Sequence, residues 1–140
     1  MLPLRLVIDT NILVSAALNP DGLQHTTLLI AITKPARLYV TLPILEEYGG
    51  VFMRPHLKVR KSERLRLLQL IKNRSHIVTP SRRLTVAGDP GDNMFIECAD
   101  AARADYLVTG NCKHFPAFWK GTKIITSREF VNLAAPHLIS

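Results

Sequence analysis

Continuous apolar runs that stop abruptly at polar residues constrain this chain most. Residues 4–8 read LRLVI and break at Asp9, Thr10 and Asn11. Residues 106–109 read YLVT and break at Gly110 and Asn111. Runs this short, without in-and-out alternation, suit strands covered on both faces, as in a parallel sheet. Further strands are expected over 37–41, 77–79 and 120–125. Between them the apolar spacing turns helical. Helices are expected over 12–18, 23–33, 92–103, from Pro43 to the Arg54-Pro55 break, and from a Ser62 cap through Ile71. Strands alternating with helices make βαβ units. The expected fold is therefore α/β, a three-layer α/β/α sandwich around a central parallel sheet of four to five strands. Its 140 residues suit one domain with a real core, and no repeat, linker or low-complexity segment interrupts them.

Local signals punctuate this pattern. Asn19-Pro20-Asp21-Gly22 marks a loop and Pro35 a helix stop. Gly49 and Gly50 fall inside a helix, where each costs ~1 kcal/mol in propensity, so close packing or a bend is expected there. Thr126 followed by Glu129 reads as a capping box that opens the last helix.

Charge narrows the function. The net charge is +7, which points to an anionic partner. It is concentrated: residues 54–83 hold 10 of the 18 Lys and Arg and a single acid, Glu63. A basic segment thus sits on a slightly acidic body, a combination suited to a phosphate backbone. The two cysteines, Cys98 and Cys112, form no CxxC pair and have no histidine at zinc spacing, so a structural zinc site is not expected. No signal peptide and no apolar stretch of membrane length is evident, and the expected location is cytoplasmic, away from membranes.

In an open parallel sheet, ligands bind outside the carboxyl ends of the strands. Asp9 ends the first strand, Glu46 and Glu47 lie in the helix after the second, Asp92 opens a helix, and Asn111 follows a late strand. Carboxylates gathered in one pocket either raise their pKa values or recruit a cation. Hard oxygen donors without a His or Cys cluster favour Mg²⁺ or Mn²⁺. Each residue also has a plainer role. Asp9 suits an Asx-turn, Asp92 a helix N-cap, Asn111 a turn, and Thr10 and Thr109 simple strand-end hydroxyls. Glu46 and Glu47 point about 100° apart on a helix, so at most one faces a site. Asn93 and Glu97 share a helix face. His114 and Phe115 read as a packed turn, and no histidine has a neighbour that suggests catalysis.

Three stretches, LRLVIDTNILVSA, LPILEEYGGVFMRP and DPGDNMFIECADAARADYLVTGNCKHFP, together resemble the PIN-domain family, especially its bacterial, PilT N-terminus-like branch of toxin components of toxin–antitoxin pairs. The similarity runs from residue 4 to about 133 and implies a single PIN-like domain over 1–140. It implies a metal-dependent endoribonuclease acting on RNA, with Mg²⁺ or Mn²⁺ held by Asp9, Glu47 and Asp92. Many relatives carry a fourth acid where this chain has Asn111, a departure that lowers the charge of the site, and Glu97 is a compensating candidate. Thr10, Asn11, Thr109 and Asn111 would orient waters or phosphate oxygens. Arg54, Lys58, Arg60, Lys61 and Lys113 would hold the backbone by charge rather than sequence. A cognate antitoxin and a homodimer are the implied partners. The Asn111 departure also keeps open a catalytically weak or inactive PIN-like module that binds RNA or a protein partner. A haloacid-dehalogenase-like phosphatase fits poorly, because its nucleophilic Asp is followed two residues later by a second Asp and here Asn11 stands there.

Overall fold

The fold is built outward from its first strand. In the computed structural model, which describes residues 4–138, strand β1 (Arg5–Ile8) has Leu6, Val7 and Ile8 wholly out of solvent. The chain continues through α1 (Thr10–Leu18), α2 (Leu23–Ala31), β2 (Arg37–Val40), α3 (Leu42–Phe52), α4 (Lys61–Arg74) and β3 (His76–Ile77). It then forms α5 (Asn93–Ala102), β4 (Tyr106–Val108), β5 (Phe118–Trp119), β6 (Thr122–Ile125) and α6 (Ser127–Ala134). Short 3₁₀ turns lie at Pro90–Asp92, Cys112–His114 and Pro136–Leu138.

The sheet order is β3-β2-β1-β4-β6-β5. All neighbours are parallel except β5, which pairs antiparallel with β6. The α/β sandwich is as expected, but the sheet has six strands and is mixed. The additional strand, β5, is two residues long and folds back on β6 through Lys120, whose φ is 52°. So brief a strand leaves no periodic signal. Helices flank the sheet: α5 packs against β1, β2 and β4, while α2 packs against α1 and α6. The core includes Tyr48, Phe52, Phe95 and Phe130, all buried. Burying a side chain of this size contributes about 2–3 kcal/mol.

Several expected boundaries shift for local reasons. Helix α1 begins at Thr10 rather than residue 12, so Thr10 and Asn11 are helical. Strand β2 ends at Val40, and Thr41 becomes the N-cap of α3, its hydroxyl accepting from Ile44 N–H at 3.3 Å. Helix α4 starts at Lys61 with Arg60 in the cap position, so Ser62 is not the cap. Helix α3 runs uninterrupted through both glycines. A Cβ at Gly49 would meet only Leu68 Cδ2, at 4.0 Å, and one at Gly50 would meet nothing, so the expected close packing is absent. The Thr126–Glu129 capping box is present in full.

Two features of the frame position the site. The hydroxyl of buried Tyr48 donates to the Ile8 carbonyl, joining α3 to the end of β1. The loop between β3 and α5 is tied down by side chains of α5. Asn93 Oδ1 accepts from Val86 N–H at 2.9 Å and Ala87 N–H at 2.8 Å. Glu97 accepts from Leu84 N–H at 2.8 Å, and Asp100 binds Arg82.

Candidate active site

Strand β1 has β2 on one side and β4 on the other, and the chain leaves in opposite directions from that point. A ligand crevice is expected there, outside the carboxyl ends of the strands. Ile8 pairs with Val108, so the next residues of the two strands, Asp9 and Thr109, stand side by side. Asp9 N–H donates to Val108 O at 2.9 Å, and the Thr109 hydroxyl donates to Asp9 Oδ2 at 2.7 Å. Asp9 precedes α1 but makes no side-chain cap bond. Its carboxylate is held by Thr109 instead, and Asp9 is only 6% exposed. Burial raises its pKa above the ordinary carboxylate value. The Thr109 bond opposes that rise, and the nearby Glu47 charge adds to it.

Glu47 arrives from α3, one residue before the anchored Tyr48. The hydroxyl of buried Thr10 donates to Glu47 Oε2, whereas Glu46 is exposed. Of the two adjacent acids, Glu47 is therefore the one turned toward Asp9.

Asp92 comes from the 3₁₀ turn that leads into α5. The capping role is taken by Asp89, whose Oδ1 accepts from Gly91 N–H at 3.0 Å, and Asp92 makes no cap bond. Its pKa is also raised, first by burial and then by the charges of Asp9, Asp89 and Glu47, with His114 acting in the opposite sense. His114 Nδ1 lies 3.7 Å from Asp92 Oδ2.

His114, which the sequence reads as part of a packed turn, comes to the Asp92 carboxylate, an approach sequence reasoning did not anticipate. Asn111 and His114 are three apart across the 3₁₀ turn Cys112–His114. Asn111 is the residue before that turn, and its carbonyl accepts the His114 N–H. That spacing after a strand-end Thr-Gly was the available signal. The His114 carbonyl accepts from Gly88 N–H at 2.8 Å, which fixes the turn by its backbone.

The other polar residues have definite roles. Asn11 Oδ1 accepts from Gly110 N–H at 3.2 Å, tying the turn after β1 to the turn after β4. Asn111 N–H donates to Thr109 Oγ1 at 3.0 Å, and Asn111 itself is exposed. Glu97 spends a carboxylate oxygen on Leu84 N–H. Arg54, Lys58, Arg60 and Lys61 lie exposed around the α3–α4 connection, and Lys113 lies exposed beside His114.

The donor set suits a hard cation. Burial first, and then neighbouring carboxylate charge, raises the proton affinity of Asp9 and Asp92, and a bound cation would relieve that cost. Among the described residues, no three His, Cys, Asp or Glu side chains approach closely enough to enclose a metal on their own. Mg²⁺ does not need such a cage, since it keeps several waters and takes one or two carboxylates directly. Soft ligation is disfavoured: burial pushes the Cys98 thiol up to about 12 and also raises Cys112.

Comparison with known proteins agrees with this architecture. The PIN domain family model matches residues 5–113. An uncharacterized protein of Methanocaldococcus jannaschii is 30% identical over 111 residues, spanning 77% of this chain and 71% of the relative. The crystal structure of VapBC2 from Rickettsia felis, bound to a DNA fragment from their promoter, superposes with a TM-score of 0.58 at 18% identity. That match covers 88% of this chain and 98% of the other, and at this identity it shows a shared fold.

Proposed function

The chain belongs to the PIN-domain family, and from that premise we propose that it is a metal-dependent endoribonuclease, the toxin of a cytoplasmic toxin–antitoxin pair. PIN domains are generally nucleases. The observation that carries the reading is the placement of Asp9, Glu47 and Asp92, three acids from separate elements, near the switch point of the sheet, with Asp9 and Glu47 held by Thr109 and Thr10. Nothing in the packing of the core requires these charges to be neighbours. The structural neighbour is a toxin–antitoxin complex, which supports a protein antitoxin as partner here. Among the described residues no helix is long and apolar enough to cross a membrane.

In this mechanism Asp9, Glu47 and Asp92 would hold Mg²⁺ or Mn²⁺, directly or through water. A divalent cation supplies charge neutralisation at the phosphate and lowers the pKa of water to near neutrality. The chain's own residues do the rest. Thr109 and Thr10 hold the Asp9 and Glu47 carboxylates in fixed rotamers, so orientation need not be acquired during the reaction. Asn11 and the Gly110 N–H keep the two strand-end turns in register. Asn111 orients water or a phosphate oxygen through its amide. Lys113, Arg54, Lys58, Arg60 and Lys61 bind the backbone electrostatically, without reading bases.

A second reading follows from one observation: the position after Thr109-Gly110 is an exposed amide, Asn111, rather than an acid. On that reading the chain is an RNA- or partner-binding module with little or no catalysis. The deciding experiment is cleavage of single-stranded RNA with Mn²⁺, with EDTA and Asp92→Asn as controls. Metal-dependent cutting lost in the variant is expected. No cutting by well-folded protein saturated with Mn²⁺ selects the binding module.

A further inference from the structure

The carboxylate site lies at one end of the sheet, and an unneutralised basic cavity lies at the other. This cavity, about 940 Å³, opens at the amino-terminal edge of β2 and β3, has an apolar floor from the residue 32–36 segment, and carries Lys34, Arg37, Asn73, Arg74 and His76 on its walls, with no acid among its lining residues. Among the described residues, Lys34, Arg37 and Arg74 form no ion pair. Arg74 gains from its place in the last turn of α4, where the helix dipole favours a cation. Lys34 and Arg37 have no such compensation.

The sheet makes this arrangement costlier. Arg5 and Arg37 are directly paired on neighbouring strands. Like charges placed opposite each other destabilise a strand pair. The Arg5 guanidinium donates to a neutral carbonyl, Ala102 O, at 3.0 Å and lies over the Tyr39 ring, while the Asp105 carboxylate is taken by the Arg5 backbone N–H. Tyr39 in turn pairs with His76, ring centroids 5.4 Å apart. His76 is exposed, so its ring rests on Tyr39 and presents an open face beside the cations.

We propose that this cavity is a second nucleic-acid site, binding the phosphate backbone of single-stranded RNA through Lys34, Arg37 and Arg74 and stacking a base on His76. It rests on RNA being the substrate in the reading above. The exposed aromatic face favours RNA over an acidic protein segment, because base stacking uses a ring face that carboxylates do not need. The four residues of β2, about 13 Å of strand, separate this site from the carboxylates. It therefore anchors RNA without taking part in cleavage.

The test is fluorescence anisotropy of a short labelled single-stranded RNA in EDTA, across about 50 to 200 mM KCl. The Lys34→Ala, Arg37→Ala, Arg74→Ala triple variant should bind roughly tenfold more weakly, with the slope of log Kd against log salt reduced by about 2. Replacing both arginines by lysine should keep the wild-type slope, which separates charge from folding. His76→Ala should weaken binding about fivefold with the slope unchanged. Unchanged Kd and slope in a triple variant with wild-type circular dichroism overturn the proposal. So does a polyglutamate peptide that responds to the triple variant while RNA does not. Binding in EDTA is read apart from catalysis, so a changed slope together with no cleavage by the wild type in the separate Mn²⁺ assay would leave this site standing and overturn the nuclease reading. Cleavage with an unchanged slope would do the reverse.

Discussion

Asp9 is held where its charge is least welcome, and that conflict is measurable. Its folded-state carboxyl titrates above the ordinary value of 3.8 because it is buried. Between those two pKa values the folded state binds more protons than the unfolded state, so stability falls as pH rises through the window and stays lower at neutral pH. Asp9→Asn removes the penalty, and its amide oxygen can still accept from Thr109. The variant should therefore melt higher than the wild type at pH 7, with the gap closing below about pH 4, while losing RNA cleavage. Wild-type cutting by this variant would put the metal elsewhere. Asn111→Asp should tighten Mn²⁺ binding in titration calorimetry, and an unchanged affinity would show that position 111 does not face the cation. Some of the site was legible in the sequence at this scale. Asp9 ends an apolar run, and Glu47 precedes a tyrosine that has to be buried. His114 was hidden because its relation to Asp92 depends on a 3₁₀ turn and on the route of the β3–α5 loop, neither of which leaves a periodic trace.

Between residues and the whole lie the elements that hold the loop before α5. Asn93 is a buried amide that satisfies two backbone donors of that loop. Asn93→Ala would strand both, costing about 2 kcal/mol, and should open the loop to limited proteolysis. An unchanged melting temperature would mean that water replaces the amide. Farther along α5, Asp100 accepts from Arg82, from Trp119 Nε1 at 3.1 Å and from Lys120 at 3.2 Å. These bonds, Arg82 foremost, hold its carboxyl well below the usual range. A lowered pKa stabilises the fold above the unfolded value, and the gain is lost as pH falls through the folded one. Asp100→Asn should cost roughly 1–2 kcal/mol at pH 7, discounted because Arg82 and Lys120 are largely solvated. The difference should fade in strong acid, and a pH-independent difference would assign it to packing. Strand and helix identities were readable because their apolar periods differ. Their ends were not: Thr41 and Asp89 cap their own helix and turn through Ile44 N–H and Gly91 N–H, and Thr10 is held by Glu47 of another helix, none of which leaves a periodic trace.

For the whole molecule, metal binding and stability are linked. A competent site should raise unfolding free energy by roughly 3 kcal/mol when Mn²⁺ is 100-fold above its Kd. Thermal melts with millimolar Mn²⁺ and with EDTA read this directly, and the gain should vanish in Asp9→Asn. A shift retained in that variant would assign Mn²⁺ to another surface. The βαβ logic of the sheet was legible from the order of apolar runs, whereas the sixth strand was too short to announce itself. That same brevity governs assembly. Both margins of the sheet, β3 and β5, are two residues long. Neither offers a long ladder of free donors and acceptors, which disfavours adding another chain by strand extension. The proposed partners, a second copy or an antitoxin, would then be recognised through helix faces and side chains. Partner choice can then change by surface substitution without disturbing the hydrogen-bonded frame that holds Asp9 in place.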